Sequence, residues 1–131
     1  MKKLLTLFLL MFLVACEGDF NINDVVGKWQ LQSIDGQALR ADVNASLDIQ
    51  SDGKFSGKAP INRYFGHINV EDGKLTTSPV GSTMMAASPE LMDAERNYLT
   101  ILNDVTSAKV VAGQLVITAK SGQKLVFDKA Q

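Results

Sequence analysis

The sequence predicts an α+β, mostly β fold: a bent, partly closed antiparallel sheet of about seven short strands, with one α-helix over about residues 89–104 packed on it. Three observations carry this reading. Short runs alternate apolar and polar side chains, the period of a half-buried strand. Glycine-containing turns such as Asp35-Gly36 and Asp52-Gly53 separate the runs, and loops that short join antiparallel neighbours. The pattern gives way to helical spacing once, between Ser88 and Asp104. A chain of 131 residues is one domain's worth, and a bent sheet with its open side covered by the helix buries both apolar faces.

The first fifteen residues stand apart. Met1-Lys2-Lys3 is a basic start, Leu4 to Val14 is an apolar run too short to cross a bilayer, and Ala15-Cys16 closes it. That is the layout of a secretory leader. Leu13-Val14-Ala15-Cys16 further resembles the bacterial lipobox, in which the cysteine is acylated and becomes the first mature residue. The expected division is therefore a removed leader at 1–15, lipidated Cys16 with a short tether to residue 23, and a domain over 24–131. In such lipoproteins an aspartate after the cysteine favours the inner membrane. Glu17 here points to the outer membrane, facing the periplasm.

Losing Lys2 and Lys3 with the leader leaves 11 basic against 14 acidic side chains, so the membrane contact expected is the lipid and not a basic patch. The same balance argues against a nucleic-acid partner. Cys16 is the single cysteine, so once it is acylated no thiol remains for a disulfide, a zinc site or a nucleophile.

Along the mature chain, residues 24–27 read as a helical turn capped by Asn23 or Asp24. Lys28 to Ile34 is a strand whose alternation holds up to Leu31, with Trp29 expected in the core. Residues 39–44 are irregular. Ser46–Gln50 and 54–57 form a hairpin about Asp52-Gly53. Pro60, which has no amide hydrogen, marks an edge or a bend. Tyr64, Gly66, Ile68 and Val70 fall on one face of the next strand, and 74–77 follows the turn at Asp72-Gly73. Ser88-Pro89-Glu90 is a helix start, with serine as cap, proline in the first turn and an acid to meet the dipole. Leu91, Ala94, Tyr98, Ile101, Leu102 and Val105 recur at helical spacing. Strands at 109–111, 114–118 and 124–127 complete the chain.

Asn62-Arg63-Tyr64-Phe65-Gly66, Leu75, Thr83-Met84-Met85-Ala86, Pro89-Glu90-Leu91 and the final strands, in this order, resemble the META/HslJ domain from about Gly27 to Lys129. The resemblance implies a bacterial envelope lipoprotein, linked in some members to heat stress, and implies no catalytic reaction. HslJ-like members carry cysteines just before the Asn-Arg pair and after the Met pair. Here these positions read Ile61 and Ala86, which leads to the expectation of a buried Ile61–Ala86 contact.

No pattern favours an enzyme. His67 is the one imidazole and lies mid-strand without a nearby acid; no phosphate loop or Gly-x-Ser-x-Gly elbow occurs. Residues 48–53 imitate a calcium loop, but its twelfth position is Ala59 where a bidentate glutamate is required, so no metal is expected. No cofactor is expected either. Asn62, Arg63, Tyr64, Thr83 and Met85 form the candidate recognition patch, with structural roles as the competing reading. Met84 and Met85 are adjacent, so one is expected in the core and the other at the surface. The function expected is a lipid-anchored, non-catalytic interaction module with an envelope protein partner. The alternative is a carrier holding a small apolar ligand or acyl chain between sheet and helix, which requires a cavity of a few hundred Å³, within the roughly 300–1,000 Å³ of ligand pockets.

Overall fold

The computed structural model describes residues 18–131; the leader at 1–15 and Cys16 lie outside the described residues. After one turn of 3₁₀ helix at Ile22–Asp24 come β1 (Gly27–Ile34), β2 (Gln37–Ala38), β3 (Ser46–Ile49), β4 (Lys54–Lys58), β5 (Arg63–Glu71), β6 (Lys74–Thr77) and β7 (Gly81–Ser82). The helix α1 (Pro89–Asn103) and strands β8 (Val105–Val111), β9 (Gln114–Ala119) and β10 (Lys124–Lys129) follow. The main path runs β6-β5-β4-β3-β1-β10-β9-β8, antiparallel throughout, with β2 added to β1 and β7 to β5. The terminal strands β6 and β8 meet, so the sheet is a nearly closed barrel. The count exceeds seven chiefly because β2 and β7 have two residues each, too few to show a period.

Period two builds the interior. Trp29 and Leu31 of β1, Leu47 and Ile49 of β3, Tyr64 and Ile68 of β5, and Leu125 and Phe127 of β10 all point inward and are buried. Trp29 is the core residue expected, its indole N–H donating to the Val25 carbonyl at 3.0 Å. The alternation stops at Leu31 for a physical reason. Leu31 pairs with Phe127 but Ser33 pairs with Val126, so Gln32 is the extra residue of a β-bulge, which brings Ile34 opposite inward-facing Leu125. Val70, placed by its spacing on the Tyr64 face, is 47% exposed although its cross-strand partner Leu75 is buried.

Three hairpins share one turn chemistry. Asp35-Gly36, Asp72-Gly73 and Ala112-Gly113 each hold two consecutive residues at positive φ, the conformation that matches the twist of the flanking strands. α1 starts as the sequence indicates: the Ser88 hydroxyl accepts from Leu91 N–H and Pro89 is the first helical residue. Its buried residues are Glu95, Tyr98, Ile101 and Leu102. Three of these are apolar-stripe positions; Glu95 is the exception.

The chain before the domain is shorter as a tether than residues 17–23 suggest. Phe20 donates its amide to the Gly73 carbonyl at 2.9 Å, and Phe20 and Ile22 pack on the core. The cap of the first turn is Asn21, earlier than Asn23 or Asp24, because its side chain accepts from Asn23 N–H.

Candidate recognition site

The stretch before β5 is organised by a carboxylate from α1. Residues 59–62 turn back on themselves, with Ala59 N–H bonded to the Asn62 carbonyl at 2.8 Å. This aims two successive amides at the helix: Ile61 and Asn62 N–H donate to Glu95 Oε1 at 3.1 and 2.6 Å. The Asn62 side-chain amide donates to Glu95 Oε2 at 2.7 Å. Its other donor goes to the Met85 carbonyl, while its oxygen accepts from Met85 N–H at 2.7 Å and the Thr83 hydroxyl at 3.0 Å. Asn62 thus treats Met85 as a neighbouring strand would, and all four hydrogen bonds its amide can make are used. The Thr83 hydroxyl also accepts from Arg63 N–H, and Thr83 N–H donates to the Arg63 carbonyl. The segment 83–85 therefore prolongs the β5–β7 pairing with Asn62 as its last rung.

Tyr64 belongs to the same knot from the inside. Its hydroxyl donates to the Ser46 carbonyl at 2.6 Å and so accepts from the Tyr98 hydroxyl, also at 2.6 Å. The two rings meet edge-on, and Tyr98 continues to Phe127. Burial pushes the Tyr64 hydroxyl well above the ordinary tyrosine range, with the Tyr98 bond opposing. Tyr98 is raised by burial first, then by the charge Tyr64 would carry and by their bond.

The five candidates therefore separate. Asn62 and Tyr64 are 3% and 1% exposed and face the protein. Arg63, Thr83 and Met85 lie on the surface, and among the described residues the Arg63 guanidinium has no ion-pair partner. Two residues outside the expected set share its face. Lys58 is the cross-strand partner of Arg63, and Phe65 follows two residues along β5, 63% exposed. Its ring lies over Gly81, where a Cβ would come within 2.6 Å of it. The sequence signal for Phe65 was its place in the polar half of an alternating strand.

Two expectations about this region are corrected. Ala86 is exposed and Ile61 only half-buried, so they form no buried pair; the junction is made instead by Asn62, Met85 and Glu95. Neither methionine enters the core: Met84 is 95% and Met85 63% exposed, because the segment hangs from the sheet by main-chain bonds. Glu95 was missed among the helix's polar residues. Its signal was position: it stands four residues after Leu91 and three before Tyr98, inside the apolar stripe.

Beneath the helix, the space bounded by Leu47, Phe55, Ile68, Leu102 and Ile117 amounts to about 20 Å³, no more than a water's worth. That is far below the few hundred Å³ a carrier requires at this place. A cleft of about 420 Å³ does exist, but on the outside, between the β1–β2 hairpin, residues 39–43 and the Ala94 and Asn97 side of α1. Among the described residues no three His, Cys, Asp or Glu side chains gather as metal ligands, and no helix is long and apolar enough to cross a membrane.

Fold and site together define a class: a small antiparallel barrel covered by one helix and latched to it by a buried carboxylate–amide hub. The META domain model matches residues 23–131, and the chain belongs to that family. An NMR structure of a protein from Burkholderia xenovorans is similar, with 25% sequence identity and a TM-score of 0.65 over 86% of this chain and 90% of that one. A second NMR structure shares the fold at 23% identity and a TM-score of 0.60, covering 79% of this chain and 88% of its own. No curated protein matches the chain.

Proposed function

We propose that this META/HslJ-like chain is a lipid-anchored envelope module, held by acylated Cys16 on the periplasmic side of the outer membrane, and that it works by binding a protein partner in envelope maintenance or stress response. The lipobox resemblance supports the anchor. The binding role rests on one observation: the hub consumes its polar groups internally, while beside it Arg63, without an ion-pair partner among the described residues, and Met85, 63% exposed, stand at the surface. Side chains kept out of the core by a built framework serve a partner better than they serve stability.

The test has two arms. Acylation is read by mass on Cys16 and by membrane fractionation against Cys16→Ser. Binding is read in intact cells by photocrosslinking from position 85 against position 120, an exposed site in the β9–β10 turn. A discrete protein adduct from 85 alone, lost on Arg63→Ala, is expected. Equal adducts from both positions refute the binding role, and an unmodified, soluble chain refutes the anchor.

A further inference from the structure

We infer that the outer face of β4, β5 and β7 docks a protein segment that carries acidic side chains among apolar ones, at the end of the domain away from its membrane attachment. This rests on the binding role proposed above and names the chemistry of the partner.

The first observation is a pair of like charges. Lys58 and Arg63 are directly opposed across the β4–β5 ladder, so their side chains share the outer face, an arrangement that disfavours the sheet when nothing intervenes. Both are exposed, and neither has an acidic partner among the described residues. Among the other exposed cations of the described residues, Arg40, Lys54 and Arg96 each have an aspartate within 4.0 Å, while Lys74 and Lys120 are single and unpaired, so what sets Lys58 and Arg63 apart is that they stand side by side. This adjacent pair of cations occurs on a mature chain whose overall balance is acidic. An anionic partner removes the repulsion that the free protein carries.

The second observation is what flanks the charges. Phe65 stands next to Arg63 on this face, and Thr83 pairs with Arg63 on its other side. Met85, bonded through its backbone to Asn62, is exposed beside them. An aromatic ring and a flexible thioether on either side of an arginine match the residue types that anchor protein interfaces. An isolated phosphate or a bare carboxylate would leave both unused, so the ligand carries apolar groups beside its charge.

The third observation separates a protein from a lipid surface. Asp19 packs against Gly73 in the β5–β6 turn, and Phe20 is hydrogen-bonded to it. Three residues from Asp19 back to Cys16 reach at most about 11 Å. From Glu71 to Arg63 along β5 is about 26 Å. The attached end and the basic face thus lie at opposite ends of the longest strand, which sets the face away from a bilayer held at Cys16.

The experiment uses the full chain isolated from bacterial membranes and placed in phosphatidylcholine nanodiscs. The probe is a fluorescent peptide of alternating glutamate and leucine pairs, read by anisotropy, with lysine–leucine and glutamate–serine versions as controls. Expected is binding of the glutamate–leucine peptide only, weakening with salt, reduced about threefold by Lys58→Ala and at least tenfold by Arg63→Ala or Phe65→Ala. Lys74→Ala, at the attached end, should change nothing, and unchanged melting temperatures exclude misfolding. No binding, equal binding of the lysine peptide, or indifference to Arg63→Ala and Phe65→Ala overturns the inference. So does Arg63-dependent capture of vesicles of equal parts phosphatidylglycerol and phosphatidylcholine without peptide binding, which would assign the face to lipid. If Cys16 proves unmodified, the anchor reading fails, yet the peptide measurement still decides the chemistry of this face.

Discussion

Asn62 and Glu95 are joined twice, Asn62 giving its backbone N–H to Oε1 at 2.6 Å and its side-chain amide to Oε2 at 2.7 Å. The pair fastens the start of β5 to the middle of α1, and Asn62 carries the junction on to Met85. Glu95→Ala leaves the Asn62 donors unmatched in a buried site and should cost about 2–4 kcal/mol, since each buried unpaired group costs about 1–3. Glu95→Gln should cost less, but not nothing, because its NH₂ group faces another donor in Asn62. Urea unfolding of Glu95→Ala, Asn62→Ala and the double variant should give a coupling above about 1 kcal/mol. Additive losses would mean that the two contacts act independently.

The tyrosine pair makes stability depend on alkaline pH. Both hydroxyls are raised above the ordinary value of about 10, Tyr64 and Tyr98 alike chiefly by burial. A raised folded value means full stability below the unfolded value and loss as pH rises towards the folded one. Above about pH 10 each tyrosine that stays protonated in the fold therefore removes about 1.4 kcal/mol per pH unit. Urea titrations between about pH 9 and 11.5 should show a shallower decline for Tyr64→Phe with Tyr98→Phe than for the parent. Parallel declines would refute the assignment. At neutral pH Tyr64→Phe should cost more than Tyr98→Phe, because it strands the Ser46 carbonyl and the Tyr98 hydroxyl together.

What the sequence discloses here follows from what is periodic. Alternation and Asp-Gly turns exposed the strands and hairpins, because burial of one face and positive φ are local demands. The start of β8 escaped, since Val105 also fits the helical stripe and a bulge at Thr106 erases the alternation before Ala108. Ile61–Ala86 failed for a different reason. Two segments can be neighbours through main-chain and amide bonds while the residues at the expected positions point outward, and nothing in the order of residues states which way. Glu95 shows the limit from the other side: no local pattern marks a glutamate for burial, and only its place between Leu91 and Tyr98 points to it.

Ala112 is the weak member of three equivalent turns. Asp35 and Asp72 occupy the same first position at φ 52° and 51°, and Ala112 adopts 51° with no side chain suited to it. A residue with Cβ in this region costs roughly 1–2 kcal/mol, less for Asn or Asp. Ala112→Asn should stabilise the protein by about 0.5–1 kcal/mol, because Val111 and Gln114 already pair across the turn. Thermal unfolding checks it, and an unchanged or lower midpoint would mean the turn is relaxed as it stands.

The exposed methionines permit a test that separates surface from framework. Met84 and Met85 are 95% and 63% exposed and Met92 41%, so mild peroxide should oxidise Met84 and Met85 first, converting apolar thioethers to polar sulfoxides. Because the Met85 bonds to Asn62 are made by its backbone, oxidation should leave the melting temperature unchanged. A core methionine would behave differently, since a sulfoxide disrupts packing. Peptide mapping by mass spectrometry gives the order of oxidation, and the melting temperature of the same samples gives its effect. If the midpoint falls as the Met85 sulfoxide forms, the thioether packs on the domain, and the face beside Arg63 is correspondingly smaller. If it holds while binding of the glutamate–leucine peptide is weakened, the side chain's role is contact with something outside the chain.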